Sequence, residues 1–75
     1  MNKERRLKIK KNIDSLETVK SNLENILGEE EFYFDNMPEN LQGSMRGEAS
    51  EEAISLLGEA IEAIDNCIDN LNEIE

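Results

Sequence analysis

The chain has no histidine, no tryptophan, one cysteine and one proline among 75 residues. Each scarcity removes a class of function. Without His, and with a lone Cys, most nucleophile and general-base schemes are out of reach, and none of the plentiful carboxylates falls on the apolar pattern as a di-metal helical bundle would require. One cysteine cannot close an internal disulfide, and a free thiol fits a reducing interior better than a secreted setting. No glycine-rich phosphate loop is present. Asp65-Asn66-Cys67-Ile68-Asp69 lacks the oxygen spacing and central glycine of a calcium loop. No apolar run approaches the roughly 20 residues needed to cross a bilayer. The basic start MNKERRLKIKKN is followed by no apolar segment, so it does not read as a signal peptide. These absences predict a non-enzymatic, cytoplasmic protein with no cofactor, metal or small-molecule substrate and no membrane contact.

Cations are scarce in one half only. Residues 1–28 hold seven Lys or Arg against four acids, whereas residues 29–75 hold fourteen acids against Arg46 alone. The net charge of -10 argues against direct nucleic-acid binding by the basic start.

What the chain does have is helical periodicity. Ile54, Leu57, Ile61, Ile64, Ile68 and Leu71 follow three–four spacing, and Ala53, Ala60, Cys67 and Ile74 run beside them at intervals of seven. So broad a stripe predicts burial against other helices, with Cys67 packed as a small hydrophobe. An earlier pattern runs Ile9, Ile13, Leu16, Val19, Leu23, Ile26 and Leu27. Gly28 is able to end it, but Tyr33 and Phe34 continue its rows, so the helix is extended to about residue 35. Pro38 cannot continue that helix, yet suits the first position of a short helical turn, which Gly43 breaks. Ser44 is the expected N-cap of the second long helix, with Ser50 as the competing start.

The expected fold is therefore all-α: an antiparallel two-helix hairpin in a single domain, 1–75, with helix 1 over about 3–35, a turn over 36–43 and helix 2 over about 44–73. In that hairpin Lys3, Arg5, Arg6, Lys8 and Lys10 would face Asp65, Asp69, Glu73 and Glu75, offsetting charges that oppose each helix dipole. One hairpin cannot hide the whole stripe Ala53–Ile74. The expectation is a homodimer forming a four-helix bundle, or a hetero-complex in which a partner replaces the second hairpin.

Two surfaces are candidates for function. The tip gathers Phe32, Tyr33, Phe34, Met37, Leu41 and Met45 around Pro38. The plainer reading is a miniature core closing the hairpin. The sharper one is a partner-binding cluster of Phe32, Tyr33, Met37, Leu41 and Met45, since aromatics and Met are enriched at interfaces. Phe32 lies off the rows of Tyr33 and Phe34 and so points outward. The second surface is the acidic face Glu52, Glu59, Glu62, Asp65, Asp69 and Glu73 of helix 2, which reads first as a solvated face. Acids three and four apart stand roughly 5–6 Å from one another, so the same face also reads as a mimic of nucleic-acid phosphates.

The segment Glu30–Ser44, with its run Asn36-Met37-Pro38-Glu39-Asn40-Leu41-Gln42, resembles a signature of small acidic helical-hairpin proteins of unknown function. These are encoded by phages and mobile elements of Gram-positive bacteria. The similarity covers roughly the last 45 residues and implies a genomic setting and no catalytic residues. By analogy it implies a factor that binds, and thereby inhibits, a host protein, such as one of a defence system. The alternatives are the phosphate mimic and a purely structural coiled-coil subunit of a larger assembly.

Overall fold

The computed structural model describes all of residues 1–75. Helix α1 spans Lys3–Asp35, α2 is the single turn Glu39–Gln42, and α3 spans Met45–Asn72. The Asn2 side chain caps α1 by accepting from the Arg5 N–H at 2.8 Å, and Glu4 suits the positive end of its dipole. The helix passes Gly28 unbroken and ends at Asn36, whose amide side chain donates to the Phe32 carbonyl at 2.8 Å. At about 1.5 Å per residue, its 33 residues make a rod of roughly 50 Å. No helix is long and apolar enough to cross a membrane.

The reversal of direction is held by polar groups. Pro38 stands just before α2, as its cap, rather than inside the first turn as the sequence pattern predicts. Gln42 Nε2 donates at 3.2 Å to the carbonyls of both Phe34 and Met37, supplying partners that the end of α1 leaves wanting. The Ser44 hydroxyl caps α3 by accepting from the Gly47 N–H, and Glu48 occupies the first turn. The start at Ser44 leaves Ser50 for a different task. Buried at 3% exposure, Ser50 donates its hydroxyl to Glu30 Oε2 at 2.6 Å.

The two long helices then pack along one another in a body of 58 × 15 × 13 Å, its radius of gyration 17.2 Å. A compact globule of this length would have about 11 Å. The α1 seam is Ile9, Ile13, Leu16, Lys20, Leu23, Leu27, Glu30 and Phe34, every one part-buried and three or four residues from the next. This corrects the apolar pattern expected from the sequence. Lys20 and Glu30 occupy seam positions, while Val19, Ile26 and Tyr33 stand 45%, 49% and 46% exposed beside them. Both polar intruders are partnered across the seam: Glu30 by Ser50, and Lys20 by Asp65 at 2.6 Å. On α3 the residues Ile54, Leu57, Ile61, Ile64 and Leu71 are part-buried against α1, and Ile68 is buried.

In heptad terms the α1 seam has Ile13, Lys20, Leu27 and Phe34 at a and Ile9, Leu16, Leu23 and Glu30 at d; α3 has Ile54, Ile61 and Ile68 at a and Leu57, Ile64 and Leu71 at d. Reversing one helix of a pair brings its g flank beside the other's g flank, and e beside e. Lys20 at a reaching Asp65 at e, and Tyr33 and Arg46, both at g, sharing one cleft, agree with that arrangement. The hairpin therefore has two unlike sides. The e side carries Lys10, Glu17, Glu24 and Glu31 beside Glu51 and Asp65; the g side carries Val19, Ile26 and Tyr33 beside Ala53, Ala60 and Cys67.

Candidate functional site

The tip is built where α1 stops and the chain turns back. Phe34 points into the seam and Met37 is buried, so both belong to the closing core. Phe32, one position off that face, is 71% exposed. Between these elements lies a cleft of about 360 Å³ lined by Phe32, Tyr33, Asn36, Met37, Pro38, Leu41 and Arg46. Of the five tip residues singled out from sequence, four line this cleft. Met45 does not, and stands 87% exposed at the start of α3. Asn36, Pro38 and Arg46 complete the walls and were not among the expected site residues. Arg46 carried a readable signal: it is the only cation after Lys20 in a strongly acidic stretch. It takes part in neither ion pair of the molecule, leaving its guanidinium free at the cleft.

The acidic face does not survive whole. Glu52, Glu59, Glu62, Asp69 and Glu73 are exposed and without cationic partners, but Asp65 is part-buried and bound to Lys20. That hydrogen bond holds the Lys20 ammonium above its ordinary value of 10.5, against the opposing effect of desolvation.

The expected charge matching at the open end also takes a different form. Lys8 pairs with Glu4 of its own helix at 3.8 Å, Asp65 is engaged by Lys20, and none of Lys3, Arg5, Arg6 or Lys10 forms an ion pair with α3. Long side chains at an exposed end gain too little from a fixed pair to offset the rotamer freedom they would lose. The ends do meet: the Met1 ammonium lies 3.4 Å from the Glu75 carbonyl oxygen. A cleft of about 240 Å³ there is lined by Arg6, Ile9, Lys10, Ile13, Leu71, Asn72 and Ile74.

The expected self-association stripe splits in two. Ile54, Leu57, Ile61, Ile64, Ile68 and Leu71 are spent on α1 within the hairpin. Ala53 is part-buried at its edge, while Ala60, Cys67 and Ile74 are exposed. The burial expected for Cys67 is thus not found within the single chain, because the row at intervals of seven lies on the g flank rather than in the seam. No three Cys, Asp or Glu side chains are grouped so as to hold a metal ion.

No family model matches the chain, and neither the curated proteins nor the solved structures contain a match to it.

Proposed function

We propose that the chain is a non-enzymatic protein-binding hairpin that engages its partner through the tip cleft. The observation that carries this reading is Phe32, left 71% exposed beside Tyr33, Leu41 and an unpaired Arg46. A large aromatic in water at a turn does nothing for the hairpin's own core, and aromatic and Arg anchors dominate interface energetics. The matching occupant is a short segment that offers an apolar side chain to the cleft and a carboxylate to Arg46. With the resemblance described above, we take that partner to be a host protein and the chain to be a phage- or mobile-element-encoded accessory factor. It acts in the bacterial cytoplasm and inhibits what it binds.

Affinity capture with mass spectrometry identifies the partner, and titration calorimetry then tests the site. Phe32→Ala and Arg46→Glu should each weaken binding by about tenfold or more, the scale of hot-spot losses, while Glu59→Lys/Glu62→Lys leaves it near wild type. The second reading, a mimic of nucleic-acid phosphates, is favoured by five unpaired exposed acids, Glu52, Glu59, Glu62, Asp69 and Glu73. It reverses the outcome: the charge reversals abolish binding, affinity falls steeply with salt, and Phe32→Ala has no effect. A structural coiled-coil subunit would be indifferent to both sets of variants.

A further inference from the structure

The g side of the hairpin is left uncovered although it is its most apolar surface. Val19, Ile26 and Tyr33 on α1 lie alongside Ala60 and Cys67 on α3, with Leu56, 55% exposed, at the same margin. Small residues on one helix and large ones on the other give a ridged face onto which further helices can settle closely. The area fits a definite need. The chain exposes 5758 Å², roughly 1,000 Å² more than the ~4,700 Å² of a compact monomer of this mass. A standard interface removes about 800 Å² from each partner.

We propose that a second copy of the chain covers this face, and that the two hairpins lie antiparallel, the tip of each beside the open end of the other. Charge selects both the occupant and the direction. At the margin of this face Arg5, at g, and Lys8, at c, stand near the start of α1, and Glu29, at c, stands near its end. A twofold axis across the rods, in the plane of contact, lays α1 on its own copy in reverse. Arg5 and Lys8 of each copy then run beside Glu29 of the other. The parallel alternative places two tips together, each holding eight acids against Arg46 over residues 29–52. Like charges across a contact disfavour that pairing. Val19 falls at the middle of α1, close to where this axis passes.

The proposed contact shares Tyr33 with the tip cleft, and its test separates the two through residues that belong to one surface only. Light scattering and sedimentation of the full chain at about 100 μM, well above the Kd of an ordinary homodimer, should give twice the 8.6 kDa chain mass. Ile26→Glu on α1 and Ala60→Arg on α3 alter side chains exposed in the single hairpin. Each should yield a folded monomer by circular dichroism, whereas Phe32→Ala should remain dimeric. Spin labels at Met45→Cys in a Cys67→Ser background read the orientation. Antiparallel copies hold the labels on the order of 50 Å apart, near the helix length, and parallel copies hold them within about 25 Å. A wild-type monomer, a dimer indifferent to both flank variants, or a short label distance overturns the proposal.

Discussion

The tip and the open end of this hairpin are made from the same two helices, yet only one of them is tightly built. Met37, Gly47 and Ser50, three of the four buried residues, lie at the tip, and Ile68 alone lies toward the other end. At the tip the chain must reverse, so the carbonyls that end α1 need partners and the backbones of α2 and α3 come close. Gln42, Ser44 and Ser50 supply hydrogen bonds, and Gly47 supplies room. At the open end nothing must turn. Ile74 remains 40% exposed, and one long contact joins the termini. The lesson is that specificity is concentrated where the backbone has obligations, and the seam needs only periodicity.

The sharpest way to break this contrast is Gly47→Ala. A methyl there would overlap the Gln42 carbonyl, and backbone cannot step aside as a side chain does. Urea unfolding should show a loss of about 3 kcal/mol, the upper range for overpacking. Next comes Ser50→Ala, which leaves the part-buried Glu30 carboxylate without its donor. The same measurement should show a loss of about 1–2 kcal/mol. Gly28→Ala should act in the opposite sense. Nothing lies within 4 Å of the added methyl, and helix propensity alone should stabilise by up to about 1 kcal/mol. A Gly28→Ala variant less stable than wild type would refute the view that this residue has no packing role.

The smallest effect concerns the tie midway along the rod. Lys20 is raised above 10.5 in the folded chain by its hydrogen bond to Asp65, so folding favours its protonated form. Its contribution is complete below the unfolded-state value and is lost as pH rises through the higher folded-state value. The urea midpoint should therefore fall slightly above about pH 10.5 in the wild type. In Lys20→Met that particular loss should be absent.

Much of the architecture was legible in the chain. The three–four spacing of Ile54 to Leu71 and the breakers Pro38 and Gly43 are local signals, and they point to two long helices packed on one another. Ser44 was readable as a cap for the same reason. The candidate cleft was readable in part, because Phe32 falls off the helical rows that carry Tyr33 and Phe34. Arg46 and Asn36 were missed since their places on the wall depend on how the turn folds back. The seam on α1 was misread at Val19 and Ile26. Hydrophobicity ranks both above Lys20 and Glu30, but the polar pair finds partners across the interface, which a helix read in isolation cannot reveal.

Helix, turn and helix follow from the order of the residues, because periodicity, capping and proline act over a few neighbours at a time. Which flank meets which is settled only when α3 lies reversed on α1. That reversal brings Val19, Ile26 and Tyr33 beside Ala60 and Cys67, joins Lys20 to Asp65, and sets Arg46 against Tyr33 at the tip. Residues 45 or 13 positions apart in sequence become neighbours through the direction of packing, and no local pattern encodes that direction.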